Sequence, residues 1–352
     1  LFVSTLKKEL VLNGVSLKSR LDEMKFSNLF PRQHEMYEFN FDTIQMKGIH
    51  FPELIDYRSI IASNVKLKKG ALYAFLNRAK PMKGIDKGAN FPHVLLSKLN
   101  MNVQIDSVQL QDIDVSYREY NPKTNSKGTV KFNDLTGNIY HVTNDSAQLS
   151  KSKYAHAYLN TKLMGRSALN IHIRFDQSDQ QGRFSYDGHL KSLPFTVLNP
   201  LSKPLGKILF SDGTLNRIDF SASGDRRGAK GKVTINYSDM NVKLLKNDDE
   251  DGGLKRMGVI SLLANVLVLK NDNPSKGEPI RVTYPQYERP DDASFFNLMW
   301  KIIFFGFKET VGISAETEAK MMKNAQKFKE RKERREKRKQ EREEKKEARK
   351  ND

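Results

Sequence analysis

The sequence has no cysteine among its 352 residues. That absence excludes a disulfide scaffold, a thiolate metal site and a cysteine nucleophile. No stretch reaches the roughly 18 uncharged apolar residues that a transmembrane helix needs, so the sequence predicts none within the chain. Apolar residues make up 38% and charged residues 29% of the chain, which is a more polar composition than an ordinary globular domain has.

Motifs that carry chemistry are also scarce. No glycine-rich phosphate loop follows a predicted strand, and no nucleophile elbow is present. The seven histidines lie apart from one another without metal-ligand spacing. Asp187 and His189 share one predicted strand face, but no serine or cysteine motif accompanies them. The sequence therefore predicts a non-enzymatic protein with no catalytic residues, no metal and no cofactor.

The chain carries 18 more basic than acidic side chains. Residues 316–352 hold 16 basic and 10 acidic side chains, and residues 314–352 are predicted to form a charged helical or disordered tail. Such a tail could bind an anionic membrane surface or nucleic acid through its positive charge. Its ten acidic residues and its single aromatic residue, Phe328, argue against nucleic acid as the partner.

Most of the remaining chain alternates apolar and polar residues with a period of two. Ile171 and Ile173, for example, are separated by His172 and belong to a longer run of this kind. This period predicts β-strands with one apolar face. The turns between them are short, for instance at 224–228, so the pattern predicts an antiparallel meander and a mainly β protein with few helices.

Three segments have helical character. Residues 91–99 can form two turns, and residues 254–269 place apolar side chains along one helical stripe. A second apolar helix is predicted over 292–311, with Asp291 or Asp292 as its N-cap.

The apolar helix over 292–311 has two interpretations. Its large side chains span about 20 Å at ~1.5 Å per residue, which is less than the ~30 Å hydrocarbon core of a bilayer. It could be buried against the sheet, or it could lie in a membrane interface or close the end of a lipid-holding groove. The candidate contact residues for the second interpretation are Phe295, Phe296, Trp300, Ile303, Phe304 and Phe307.

The number of apolar strand faces raises a problem of coverage. About ten strands would place large apolar groups on one face, and two or three helices are available to cover them. The sheet could fold into a sandwich, or it could form a trough whose lining meets lipid. We expect the following residues to line such a groove: Ile171, Ile173, Phe184, Tyr186, Phe220, Val233 and Ile235.

The order of several segments carries a family resemblance. They are the strand-like runs 37–49, 60–67, 103–110, 113–117, 128–135, 231–237 and 240–245, the segments 70–78 and 91–99, the Leu-Asn-Pro-Leu sequence at 198–201, and the ending 293–303 with Gly306 and Lys308. Over residues 30–313 this order resembles the carboxy-terminal part of AsmA-like proteins of the diderm bacterial envelope.

The resemblance implies an elongated, twisted β-sheet groove in the periplasm, with an inner-membrane anchor upstream of Leu1. It also implies a role in lipid traffic between the membranes and in outer-membrane lipid homeostasis. On this interpretation residues 1–253 form the groove. Residues 254–313 would form amphipathic helices and a short strand that close its end, and residues 314–352 would form the charged tail.

The expected function is therefore binding or conduction of lipid acyl chains along an apolar β-groove. The other expected partners are the membrane surface and further envelope proteins. Two alternatives remain open at this stage. One is an adaptor that binds through its basic tail, and the other is a structural envelope scaffold that covers its own apolar face completely.

Overall fold

A computed structural model describes residues 1–82, 84, 86–247, 254–256, 269–313 and 334 of the chain. These residues form a mainly β protein built on one large, twisted, open mixed sheet with few helices. The predicted β class is confirmed. The predicted tail, apart from residue 334, and the apolar residues 257–268 lie outside the described residues.

The strands follow one another across the sheet almost in chain order. Strands β1 to β9 are successive neighbours, followed by β11, β12 and β13, while β10 pairs with β11, and β14 and β15 pair with β12. Their bounds are β1 Phe2–Ser4, β2 Glu9–Leu17, β3 Met36–Lys47, β4 Ile60–Asn77, β5 Val103–Asn121, β6 Ser126–Thr143, β7 Tyr154–Leu163, β8 Ser167–Asp176, β9 Phe184–Leu190, β10 Leu193–Pro194, β11 Ile208–Asp225, β12 Gly228–Asn247, β13 Leu254–Arg256, β14 Val282–Thr283 and β15 Gln286–Glu288.

The described helices are short except for the last one. Their bounds are α1 Glu23–Asn28, α2 Phe51–Asp56, α3 Pro92–Ser97, α4 Ser146–Lys151, α5 Asn199–Gly206 and α6 Phe295–Thr310, with 3-10 turns at Lys87–Asn90 and Phe195–Leu198. Helix α3 confirms the two turns predicted over 91–99. Helix α5 contains Pro200 in its first turn and Pro204 in its interior.

The apolar helix near the carboxy end is confirmed, but its predicted N-cap is wrong. Ser294 caps α6, and its Oγ accepts a hydrogen bond of 3.3 Å from the backbone N–H of Asn297. The guanidinium of Arg289 donates to the carbonyls of Asp291 and Ala293. Because these carbonyls are already bonded to Arg289, the backbone before Ser294 stays outside the helix.

Two further predictions differ from the structure. Residues 254–256 form strand β13 rather than helix, because their backbone pairs with the free edge of β12. Strands β4 and β5 are parallel, whereas the sequence predicted an antiparallel meander throughout. Residues 78–102 connect them, and a connection of this length can return the chain to the end at which β4 began.

The register places apolar side chains in continuous rows across the sheet. Directly paired residues on neighbouring strands point to the same face. One row contains Leu10, Met46, Val65, Val108, Ile139, Ala157, Ile173, Tyr186 and Ala222. A second row contains Leu12, Ile44, Leu67, Leu110, Gly137, Leu159, Ile171, Gly188, Phe220 and Val233.

A line of polar residue pairs crosses strands β2 to β6. At this line the alternation of apolar and polar positions along each strand shifts by one residue. Lys69, Asp112 and Asp134 lie on this line with left-handed φ angles of 47°, 57° and 54°. Beyond it, apolar rows resume, as where Val115 pairs with Phe132. Strand β7 has no such shift, so Leu159, Thr161 and Leu163, which are two residues apart, all point to the same face. Because Leu163 pairs with Phe132, the rows on both sides of the line share one face.

Helix α6 packs on the carboxy-terminal part of this face. Leu298 and Ile302 are fully buried against the sheet. Gly306 lies so close to Val233 that a Cβ built on the glycine would approach the valine Cβ to 2.7 Å. A glycine at this position therefore allows the helix and β12 to come into contact.

We predict that Gly306→Ala destabilises the fold even though alanine favours helices. The gain in helix propensity is ~1 kcal/mol, whereas crowding a rigid, buried valine costs ~1–3 kcal/mol. Urea unfolding followed by circular dichroism should show a net loss of about 1 kcal/mol.

Gly206→Ala in α5 is the matched control, because its Cβ would meet Ile208 at an ordinary 3.6 Å. The double variant Gly306→Ala, Val233→Ala should lose less stability than the sum of the two single variants. Additive effects would contradict the contact between Gly306 and Val233.

Candidate functional site

The apolar face divides into a covered half and an open half. In the covered half, on β7 to β12, the side chains of Ile173, Tyr186, Phe220 and Val233 are buried. In the open half, on β2 to β5, the same rows remain half-buried. We define the open half by these side chains: Leu10, Leu12, Val15, Leu17, Phe39, Ile44, Met46, Val65, Leu67, Leu72, Val108, Leu110 and Val115. Leu17 and Leu72 are the most exposed of them, at 51% and 38%.

The predicted lining residues lie in the covered half. Ile173, Phe184, Tyr186, Phe220, Val233 and Ile235 are all at most 6% exposed, and Ile171 is half-buried at the edge of the same core. The Tyr186 hydroxyl donates a 2.9 Å hydrogen bond to the carbonyl of Met299 in α6. In this structure the helix covers the surface that the sequence assigned to lipid.

The residues of the open half were not singled out from the sequence. Their alternation was visible, for instance at Val108 and Leu110 in β5. The alternation does not predict where α6 packs. The helix packs on one half of the apolar face and leaves the other half open. The signal for the open half is the continuation of apolar rows over more strands than one helix can cover.

The six candidate residues of α6 lie on two different sides of the helix. Phe295 is buried, and Ile303 and Phe307 pack partly into the same core. Phe296 and Trp300 are 70% and 45% exposed, and Phe304 is half-buried. A spacing of four residues places Phe296, Trp300 and Phe304 along one side of the helix, which we call the outer stripe.

Positive charges accompany the outer stripe. The Nζ atom of Lys301 lies 5.4 Å from the centre of the Phe304 ring, and that of Lys308 lies 5.2 Å from the centre of the Phe305 ring. Exposed aromatic rings combined with lysines on one helix side are typical of helices that lie in a membrane interface.

On strands β7 to β9 the opposite face of the sheet is polar. It carries Tyr158, whose ring stacks on His172 with a centroid separation of 4.3 Å. His156 Nδ1 lies 3.1 Å from His172 Nε2, and His172 Nδ1 lies 3.3 Å from a carboxylate oxygen of Asp187. Partial burial, together with the charges of His172 and Arg174, lowers the pKa of His156 below its usual 6.5. The described residues contain no cluster of three or more side chains that could hold a metal ion.

Comparison with known proteins does not identify a relative. No protein-family profile matches the chain, and no curated protein shows significant sequence similarity to it. Within the described residues, no helix is long and apolar enough to cross a membrane.

We predict that a cysteine at position 108 reacts with a maleimide much faster than one at position 173. Val108 and Ile173 lie in the same apolar row, but the first is in the open half and the second is buried near α6. Because the chain has no native cysteine, each single variant carries one thiol. The rates should differ by about tenfold or more.

Denaturant should remove this difference, which would show that the fold protects position 173. Equal protection of both cysteines in the native protein would contradict an open half. Such protection would mean that residues 257–268 or a second copy of the chain covers it.

Proposed function

We propose that the open half binds the acyl chains of lipids. The observation that carries this proposal is the division of single apolar rows into a part that α6 covers and a part that stays half-exposed. Large contiguous apolar surfaces on a protein mark contacts with apolar partners. A hydrocarbon chain lying on the open half would bury these side chains much as α6 buries the covered half.

The dimensions of the open half fit one acyl chain. The four strands β2 to β5 are separated by three spacings of ~4.8 Å, which gives a row length of about 14 Å. Half of a ~30 Å hydrocarbon core, the depth of one leaflet, is about 15 Å. An acyl chain laid along the rows therefore remains on apolar side chains over nearly its whole length, while its headgroup reaches water at the sheet edge.

The contacts available in the open half are aliphatic and aromatic. Burial of apolar surface stabilises such a complex by ~25 cal/mol per Å² and does not depend on chain chemistry. The proposed role is therefore transfer or storage of lipid without a chemical step, and with little selectivity between chains. An envelope location and traffic between two membranes follow from the resemblance to AsmA-like proteins and are part of the proposal.

The outer stripe of α6 supplies a second part of the proposal, which is attachment to a membrane surface. Its exposed rings can enter the headgroup region while Lys301 and Lys308 stay near anionic headgroups. The helix would then hold the sheet at the membrane from which the open half takes its lipid.

We predict that Val108→Glu weakens lipid binding about tenfold and that Gln109→Glu does not. Both changes add one negative charge to β5, but the side chains point to opposite faces. A carboxylate in the open half must be desolvated when an acyl chain binds, and ~1.4 kcal/mol corresponds to a factor of ten. Binding can be measured by fluorescence titration with a phosphatidylcholine that carries a fluorescent acyl chain.

Crosslinking and native mass spectrometry distinguish lipid from other occupants. A photoreactive residue at position 67 should label phosphatidylcholine in detergent-free protein, whereas one at position 235 should not, because Ile235 is fully buried. A crosslink from position 67 to residues 257–268 or to a second chain would show that this segment or that chain, and not lipid, occupies the open half. Recovery without lipid and without any lipid crosslink would refute the proposal.

A separate prediction concerns the outer stripe. Trp300 is the only tryptophan in the chain, so its emission reports on α6 alone. Vesicles of phosphatidylcholine with phosphatidylglycerol should shift this emission to shorter wavelength as the ring leaves water. Phe296→Ser should reduce the apparent vesicle affinity several-fold, because it removes one large apolar contact of ~1.5–3 kcal/mol at full insertion.

Tyr284→Ser is the control for this measurement, since Tyr284 is 71% exposed but lies outside the helix. It should leave the emission shift and the vesicle affinity unchanged. Unshifted Trp300 emission at saturating vesicle concentration would show that α6 does not enter the membrane.

A further inference from the structure

The polar face carries an open cleft of about 660 Å³ between the ends of strands β8, β9, β11 and β12. Its wall includes the basic residues Lys153, Arg174, Arg183, Arg227 and Lys230. It is on the opposite face of the sheet from the open half, so the lipid proposal does not account for it.

Four residues of the cleft stand in one row across adjacent strands. Arg174 pairs with Ser185, Ser185 with Ser223, and Ser223 with Lys230. The row therefore presents two hydroxyl groups between two cations. At ~4.8 Å per strand its ends are about 14 Å apart at the backbone, and both terminal side chains are long enough to lean inward.

The polar atoms of this row are not engaged by other protein groups. Among the described residues, no carboxylate lies within ion-pair distance of Arg174 or Lys230, and the hydroxyls of Ser185 and Ser223 make no hydrogen bond. The guanidinium of Arg174 lies over the face of the Tyr154 ring, with its carbon 4.9 Å from the ring centre. That stacking fixes the orientation of Arg174 and leaves its N–H groups available.

Two of the three acidic residues that line the cleft are paired with neighbouring groups. Asp176 accepts 2.8 Å hydrogen bonds from Lys153 Nζ and from the Ser178 hydroxyl, and Asp225 is 2.9 Å from Arg227. Partial burial would raise the pKa of Asp176, but the bonds from Lys153 and Ser178 hold it below its ordinary value of 3.8. The charges of Asp176 and Asp225 are therefore neutralised locally. Glu288, which also lines the cleft, adds one negative charge against the two cations Arg174 and Lys230, so the row retains a net positive charge.

We propose that this row binds the phosphate group of a phosphate ester or diphosphate. Arginine and lysine donate charge-assisted hydrogen bonds to phosphate oxygens, and serine hydroxyls add neutral donors. The phosphate can come from a soluble compound or from the headgroup of an anionic lipid.

The test compares Lys230→Gln with Lys232→Gln. Lys232 is exposed on the same face of β12, two residues further along the strand and outside the cleft, so both variants remove one positive charge. Titration calorimetry with inorganic pyrophosphate at physiological ionic strength should show saturable binding, weakened about tenfold by Lys230→Gln and less than about twofold by Lys232→Gln. Arg174→Gln should act like Lys230→Gln.

Flotation with phosphatidylcholine vesicles containing phosphatidic acid identifies the source of the phosphate. Pyrophosphate binding that depends on Lys230 indicates a soluble ester, and vesicle binding that depends on Lys230 without pyrophosphate binding indicates a headgroup. Failure of both probes, or equal losses in the two lysine variants, would overturn the proposal. Val108→Glu should leave pyrophosphate binding intact, so failure of the lipid proposal is detected separately.

Discussion

The structure depends on covering an apolar sheet face that is wider than any one helix among the described residues. Rows of paired apolar side chains extend from β2 to β12, and α6 covers only their carboxy-terminal part. Leaving the remainder in water costs free energy in proportion to its area. This uncovered area accounts for the proposed acyl-chain site, because a hydrocarbon ligand can cover it without any further protein.

Helix α6 can cover its half of the face because a buried arginine fixes where it begins. Arg289 is almost entirely shielded from water and donates to the carbonyls of Pro290, Asp291 and Ala293 and to the carboxylate of Asp86. Removal of a buried guanidinium whose donors are all bonded strongly destabilises the fold, because its partners would be left unpaired. The same contacts tie α6 to the connection between the parallel strands β4 and β5.

The two faces of the sheet separate two kinds of chemistry. Period-two alternation sends Val108 and Gln109 to opposite sides of β5, and the same rule applies in β8 to Ile173 and Arg174. One face can therefore take hydrocarbon while the other takes a phosphate group. Single substitutions on one face leave the second face intact, which makes the two proposals independent of each other.

The sequence determined the elements whose signals are local. Period-two alternation predicted the strands and their apolar side, and the apolar residues around Trp300 predicted α6, because both patterns depend on residues a few positions apart. Only the tertiary structure decided that β4 and β5 are parallel, that Ser294 caps α6, and that Ile235 is covered while Leu67 is open. These outcomes depend on strand register and on docking between segments far apart in the chain, and no local pattern encodes them.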